Sequence, residues 1–581
     1  MKKILKDLIA DGLDKMGIIA ADKIQIDYAK DRSHGDFACN IALLLTKQSG
    51  RKPKDLANEI ISHIPRHPFL QSVTCAGAGF INFVVHPAAF KSLLTDILHD
   101  KSSFGITKHE NPKKIHIEYV SSNPTGPLHV GHGRGAAFGA TLSKLLTVAG
   151  YKVHREYYVN DAGRQMDILT ASFYIRYLEC CGESFDFPKN AYQGEYVVLM
   201  AKQFLRENDK KYFYSAESIS QNPTNIPNDE EHKEAYIDLI IANIQKKLGE
   251  KNYKALLNYG MKIILDDIRE DLREFGVTYD AWFSEQQMWD MGWVERAIAL
   301  MRDKNYLYEK DKAVWFRSTD FGDDKDRVVI RENGKYTYFA ADIAYHRWKC
   351  EHFDKVINVL GADHHGYIPR LKSIIQALGY PVEKFHSPIV QFAILYRGKE
   401  RVPMSTRAGS FVTLRELRNE VGNDAARFFY IMRKADQHLD FDLALAKSQS
   451  NENPVYYIQY AHARICSIFR QLNEKKLHFE PEAGLQVAAL NQLESTAEKN
   501  ILLMLLRYKE TLNQAAEQCE PHLLAYYLRD LCENFHSYYN TFQFLVAEDT
   551  LRHARLCLCG AIRQVIANGL AILGVAAPES M

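Results

Sequence analysis

The sequence has no cysteine pattern suited to a structural metal. Ten cysteines are scattered over 581 residues. The close pairs, Cys180–Cys181 and Cys557–Cys559, lack the two-pair spacing of a zinc site, so free, mostly buried thiols in a reducing, cytoplasmic setting are expected. An excess of either charge is also missing: 73 Lys and Arg against 72 Asp and Glu give +1. That balance argues neither for nor against nucleic acid, whose binding needs a local basic surface. No apolar run reads as long enough to span a bilayer, which excludes a membrane protein at this level. The opening stretch MKKILKDLIADGLDKMG starts like a secretory signal, but Asp7, Asp11 and Asp14 interrupt it, and it reads as an amphipathic helix. There is no internal repeat.

What is present is an ordinary soluble composition, 46% hydrophobic and 25% charged, on a chain too long for one core. Residues 1–105 mix helix and strand patterns, with FINFVV (80–85) as a strand and Pro87 opening a helix. A polar, turn-rich stretch, KSSFGITKHENPKK, ends this first unit. From Ile115 strands and helices alternate: KIHIEYV, YKVHREYYV, KAVWFRS, DRVVIRENGKYTYFA, KVINVLGAD and PIVQFAIL read as strands of a largely parallel α/β sheet, with a hairpin turn at Glu332–Lys335. Residues 215–232 form a polar loop. After Pro454 only helical periodicity remains, so the tail reads as an all-α bundle. The units expected are 1–105, 106–410, a connecting stem 411–452, and 453–581.

The stretch SSNPTGPLHVGHGRGAA, 121–137, lies between a strand and a helix, where glycines suggest a phosphate. One reading is a dinucleotide turn: Gly131-x-Gly133-x-x-Ala136, with Glu156 about twenty residues on as ribose acceptor. In such turns the glycines follow the strand at once; here Asn123 to His129 intervene, with Pro124 and Pro127 among them. The other reading is an ATP site at a helix N-terminus, where the helix dipole attracts phosphate. His129 and His132, one turn apart, can then donate to phosphate oxygens. Gly131 between them leaves room for an adenine to approach.

HVGH resembles the His-Ile-Gly-His signature of class I aminoacyl-tRNA synthetases, and the whole segment EYVSSNPTGPLHVGHGRGAAFG is similar to the arginyl family. RVPMSTRAGS, 401–410, resembles that class's second signature, Lys-Met-Ser-Lys-Ser. Met404 and Ser405 match it, while Pro403 and Thr406 stand where lysines would be. The cation normally supplied there would come from Arg407, or else from Lys399, Arg401, Lys113 or Lys114. The resemblance continues in YTYFAADIAYHRWK (336–349), VLGADHHGYIPR (359–370), HGDFACNIALLLTK (34–47), GAGFINF (77–83) and NDAARFFYIMRKADQHLDFDLALAKSQSNENPVYYIQYAHARI (423–465). In the last, Ala426 replaces the leucine of Asp-Ala-Leu-Arg.

The resemblance implies a multidomain fold: a Rossmann-like α/β catalytic domain with a parallel sheet, an N-terminal α+β domain that contacts the tRNA elbow, and a C-terminal helical anticodon-binding domain. It implies ATP-dependent activation of L-arginine and transfer to the terminal adenosine of tRNA(Arg), with Mg²⁺ accompanying ATP and no tightly bound cofactor. His129, His132, Ser405 and Arg407 would be catalytic. Pro124, Gly131, Gly133, Gly361, Asp363, Met404 and Ser405, with the two histidines, would hold ATP. Glu118, Ser122, Asn123, His132, Tyr338, Asp342 and His364 would hold arginine, since a guanidinium pairs with a carboxylate and stacks on an aromatic face. Asp363, His364 and His365 also read as metal ligands, but the resemblance places that turn beside ATP ribose and amino acid instead, with no metal. Tyr456, Tyr457 and Tyr460 are candidates for stacking on bases. Arg427, Arg433, Lys434, Arg464 and Arg563 are candidates for neutralising phosphates. A cytoplasmic monomer without membrane contact is expected.

Overall fold

The computed structural model describes residues 1–402 and 412–581. The central unit is built on a five-stranded sheet. Its elements are β1 (Lys114–Glu118), α1 (Val130–Val148), β2 (Lys152–Val159), β3 (Ala281–Ser284), α2 (Tyr338–His352), β4 (Lys355–Asn358) and β5 (Phe385–His386). The strand order is β5-β4-β1-β2-β3 and every neighbouring pair is parallel. Alternation on β1 explains why both faces are covered. Ile115 and Ile117 join the core that holds Leu142 and Leu145 of α1. β4 sends Val356 the other way, into a second core with Ile343 and Ala344 of α2 and Phe385. The chain moves from β1 outward to β2 and β3, then returns to add β4 on the opposite side of β1. That reversal opens a crevice at the carboxyl ends of β1 and β4, where ligands of open α/β sheets bind.

The expected strands differ in four places, the first being PIVQFAIL, which leaves the five-stranded sheet: Ile389–Val390 pairs with Leu360–Gly361, and Ala393–Arg397 with Leu439–Asp442. KAVWFRS and DRVVI form not part of the parallel sheet but a separate antiparallel one, Ala313–Phe316 lying between Leu307–Lys310 and Arg327–Ile330. YTYFA is not strand: Thr337 caps α2, which starts at Tyr338. The turn between them is as expected, with Arg331 N–H donating to Lys335 O at 2.8 Å. β3 was not anticipated, because AWFS is too short to show a period and each of its four residues is half-buried.

The first unit is a four-stranded antiparallel sheet flanked by helices; one of them, Lys2–Lys15, buries Leu5, Leu8, Ile9 and Leu13 as an amphipathic helix should. The tail carries long helices at Pro454–Glu474, Thr496–Glu517, His522–Thr541 and Asp549–Leu573. Contrary to expectation, Asp549–Leu573 is long and apolar enough to cross a membrane; 78% of its apolar window is buried inside the protein, as befits the central helix of a bundle. Two arginines fasten the units together from inside. Arg134 of α1 donates to the carbonyls of Gln391, Gln437 and Lys434 at 2.7–2.9 Å. Arg427 donates to Phe275 O at 2.7 Å and Leu573 O at 2.9 Å. With 1% of its surface exposed, Arg427 cannot neutralise an RNA phosphate, which corrects the expectation for that residue.

Candidate active site

β1 leaves the sheet abruptly. Val120 and Ser121 follow it with φ of 71° and 42°, a left-handed conformation that is costly for a β-branched residue and gathers at functional sites. The bend is held by Ser121 Oγ accepting from Tyr158 N–H at 3.0 Å, and by Tyr157 OH donating to Ser122 O at 3.0 Å. It carries the chain over the crevice, with Asn123 exposed and Pro124 buried, before α1 begins.

His129 is the N-cap of α1. Its Nδ1 accepts from Gly131 N–H at 3.1 Å, and His132 Nδ1 accepts from His129 N–H at 3.3 Å. The two bonds make a capping box built of imidazoles. An Nδ1 that accepts cannot carry the proton, so both neutral rings are Nε2–H tautomers. Burial keeps them neutral: His129 is pushed below the ordinary histidine range, and His132 is pushed down to about 3 by burial and then by its neighbour. Two aligned N–H donors at a helix N-terminus suit an anionic ligand.

The glycines of this stretch each admit a neighbouring side chain. A Cβ on Gly131 would lie 2.8 Å from Cε1 and Nδ1 of His129, so its missing side chain makes room for the imidazole. On Gly133 a Cβ would meet Leu414 and Tyr430 at 2.8 Å, so Gly133 serves the packing of α1. Phe392, 42% exposed, has Cδ1 3.8 Å from that same Gly131 position. It lay in a run read only as strand.

Across the crevice, α2 presents Tyr338 at its first turn, 55% exposed, and Asp342 one turn deeper. Tyr367 OH donates to Asp342 Oδ2. Burial pushes the Asp342 carboxyl up to about 7, with Glu285 and Glu118 adding to the effect. Glu285, the first residue after β3, is 2% exposed and likewise raised by burial. In the amide orientation that turns its nitrogen to the acceptors, Asn160 donates to Glu285 Oε2 at 2.8 Å and to Ala162 O at 3.3 Å. Three carboxylates therefore converge on one recess, and Glu285 has no sequence signal beyond a lone acid after a short strand. A recess where burial makes Asp342 and Glu285 resist ionisation favours a cation with several N–H donors.

At the end of β4, Gly361 is half-buried and Asp363, His364 and His365 are exposed on a 3-10 turn. Asp363 Oδ2 lies 3.4 Å from His364 Nε2. Among the described residues the one group close enough to share a metal ion is His116, His154 and Glu156, not this turn. Glu156 also answers the dinucleotide reading. It is 1% exposed and engaged by His116 at 2.9 Å, His154 at 3.3 Å and Tyr345, so it is not a ribose acceptor.

Residues 403–411 lie outside the described residues, and with them Pro403, Met404, Ser405, Thr406 and Arg407. The residues flanking them are placed. Val402 N–H donates to Leu395 O at 2.8 Å, and Val130 N–H donates to Val412 O at 3.1 Å. Thr413 is paired with His129, so the chain re-enters the fold against the histidine cap. Lys399 and Arg401 are exposed at a hairpin, Ala393–Arg397 with Glu400–Arg401. Lys113 and Lys114 stand at the amino end of β1, about 13 Å from its carboxyl end at ~3.3 Å per residue, which removes them as sources of the missing cation.

Family models match in the same order as these units. Residues 3–85 match the arginyl tRNA synthetase N-terminal domain, 93–440 the catalytic domain of class I (R) tRNA synthetases, and 458–581 the DALR anticodon binding domain. The chain belongs to the arginyl-tRNA synthetase family. The synthetase is 51% identical to the arginine–tRNA ligase of Legionella pneumophila (strain Paris) and 52% identical to that of Thioalkalivibrio sulfidiphilus, covering all of both chains in each case. Its fold matches the Thermus thermophilus arginyl-tRNA synthetase structure with a TM-score of 0.73 at 23% identity, over all of each chain.

In the synthetase's helical bundle the tyrosines expected from sequence are half-buried at the surface. Tyr456 and Tyr460 stack 5.8 Å apart at 20°. The Arg464 guanidinium lies 4.4 Å from the Tyr460 ring and 4.8 Å from that of Tyr539. His536 Nε2–H donates to Tyr457 O at 3.1 Å and stands 3.2 Å from Arg464 at Nδ1. Lys434 is exposed but paired with Glu520 and Asp436, and Arg563 covers Phe469.

Proposed function

We propose how the crevice carries out ATP-dependent ligation of arginine to tRNA. Arginine lies with its guanidinium in the recess of Asp342, Glu285 and Glu118, Tyr338 covering it, while Ser122, Asn123 and His364 stand toward its other end. ATP, with its Mg²⁺, sits between the N-terminus of α1 and the end of β4, its phosphates at the Nε2–H groups of His129 and His132 and its ribose beside Gly361 and Asp363.

The first step joins an arginine carboxylate oxygen to the α-phosphorus of ATP and breaks the bond to pyrophosphate. Charge grows on the departing oxygens, where fixed neutral donors stabilise it without reorganising. In the second step the 2′-hydroxyl of the terminal adenosine of tRNA(Arg) attacks the arginyl carbonyl, its proton leaves, and AMP departs. Ser405 and Arg407, on the stretch returning to Thr413, are assigned to the pyrophosphate. Tyr457, Tyr460 and Arg464 are assigned to tRNA, as is the N-terminal module. The enzyme works as a cytoplasmic monomer.

The observation that carries this reading is the imidazole cap: two rings held in the tautomer that donates to phosphate, facing an acidic recess across a topological switch point. Arginine-dependent exchange of pyrophosphate into ATP, measured with and without tRNA(Arg), tests it. Exchange is expected with arginine and enhanced by tRNA; exchange with another amino acid in place of arginine would refute the assignment.

A further inference from the structure

Helix α2 carries a polar stripe on the face it buries. Asp342, His346 and Lys349 stand four and then three residues apart, on one side of the helix. Lys349 has 0% of its side chain exposed. Its ammonium donates to Glu118 Oε2 at 2.5 Å and to Asn358 Oδ1 at 3.0 Å. Glu118 and Asn358 are register partners on β1 and β4, the strands whose ends border the crevice. The bonds continue into the helix: Asn358 Nδ2 donates to His346 Nε2 at 3.0 Å, and His346 Nδ1–H donates to Asp342 O at 2.9 Å. That order of donors fixes one tautomer, and burial holds the ring neutral. The ammonium also lies 3.8 Å from the centroid of the Tyr345 ring.

A buried ion pair is weak evidence of stability, because desolvation offsets most of the attraction. A cation beneath a pocket for a guanidinium would, moreover, repel the substrate; unit charges near 4 Å interact by about 4 kcal/mol at an effective dielectric of 20. Both costs are contained if the ammonium is used up locally. Lys349 spends its donors on the two strand ends, while Glu118 keeps 15% of its side chain exposed.

We propose that Lys349 is a positioning residue for arginine: it acts through Glu118 and Asn358, holding the carboxylate in one rotamer at the crevice and tying both strand ends to the helix that bears Tyr338 and Asp342. The proposal rests on the reading of Glu118 as an arginine contact.

The test is steady-state aminoacylation of tRNA(Arg) by the full-length enzyme, with KM for arginine and for ATP measured separately. The variants are Lys349→Met, Glu118→Gln and the double variant. Lys349→Met should raise the arginine KM about tenfold or more, with the ATP KM within about twofold. In the Glu118→Gln background, adding Lys349→Met should change the arginine KM by less than about threefold, because coupled residues are not additive. If Lys349→Met does not fold, since it leaves a buried carboxylate without its ammonium, the comparison of Glu118→Gln with the double variant decides alone. Parallel rises in both KM values, or a full independent loss in the double variant, would overturn the proposal while leaving Glu118 as a contact. An unchanged arginine KM in Glu118→Gln would overturn it together with the reading of Glu118.

Discussion

His129 and His132 stack with ring centroids 3.8 Å apart and an interplanar angle of 29°, and each turns its Nδ1 to a backbone N–H. The cap is thus structural at one nitrogen, and the proposed function gives the other to phosphate. Asparagine at position 132 separates the two roles. Its Oδ1 falls near the place of Nδ1 and can still accept from His129 N–H, but nothing reaches the place of Nε2. Pyrophosphate exchange by His132→Asn should fall about 10²–10³-fold, the usual loss of one donor to a transition-state oxygen, while tRNA affinity stays near that of the parent enzyme. Equal losses of both would make His132 structural.

The same burial sets a pH dependence of stability. His132 is held down to about 3 and His116 to about 4. Unfolded, both would take up a proton near pH 6.5, so between pH 6.5 and those values the unfolded state binds more protons and stability falls as pH falls. Each ring contributes a slope of about 1.4 kcal/mol per pH unit. Urea unfolding midpoints should decline steadily below pH 6.5, and His132→Asn should reduce the slope by about one proton. A midpoint constant from pH 7 to 5 would contradict the neutral, buried rings.

Gly131 gives a third test. An alanine methyl would meet the His129 ring at 2.8 Å, closer than the ring can tolerate without swinging out of the cap. Gly131→Ala should therefore lose activation as His129→Ala does and retain the parent's KM for arginine. If adenine approach were the reason for the glycine, the ATP KM would rise while His129→Ala and Gly131→Ala losses added in the double variant; non-additivity supports the ring-seating reason.

The histidine pair, the α/β alternation, the first helix and the terminal bundle were legible because each rests on local spacing. What the sequence hid was decided by partners far along the chain. Arg427 looks like an RNA-binding charge until its carbonyl partners are seen. Gly131 and Gly133 look alike in the motif, yet one seats an imidazole and the other admits Leu414 and Tyr430. Glu285 and Phe392 carry no motif, and only the strand order brings them to the crevice. The stripe Asp342–His346–Lys349 could have been found by its period, but polar residues at helical spacing are ordinarily a solvated face.

Asp342 predicts proton-linked arginine binding. Its carboxyl is pushed up to about 7 by burial beside Glu285 and Glu118, and a guanidinium in that recess favours the ionised form. Near pH 7 a share of the free enzyme is protonated there, so arginine must expel a proton. The arginine KM should fall as pH rises from 6 to 8, and calorimetry in buffers of different ionisation enthalpy should register proton release on binding. Asp342→Ala should raise the arginine KM at least about 100-fold, as loss of a buried charged partner does, and abolish the proton release. Unchanged arginine affinity would remove Asp342 from the site.

The surface cluster of Tyr456, Tyr460, Tyr539 and Arg464 predicts a separable RNA defect. Its rings are half-buried, and Tyr456 and Tyr460 stack on each other, so they are already ordered and lose little entropy on meeting a base; stacking of this kind is worth about 1–3 kcal/mol per base. Arg464 is held over two of those rings and, among the described residues, is tied to no carboxylate, which leaves its charge available to phosphate. Tyr460→Ala and Arg464→Ala should each weaken tRNA(Arg) binding roughly 5–100-fold, from about 1–3 kcal/mol. Arg464→Ala alone should also lower the salt dependence, by about 0.7 in the slope of log K against log salt for a contact to single-stranded RNA. With saturating tRNA the arginine KM should match that of the parent enzyme in both. A bundle that merely packs would give lower thermal stability with tRNA affinity and salt slope unaltered, and that outcome would return the tyrosines to the role of core.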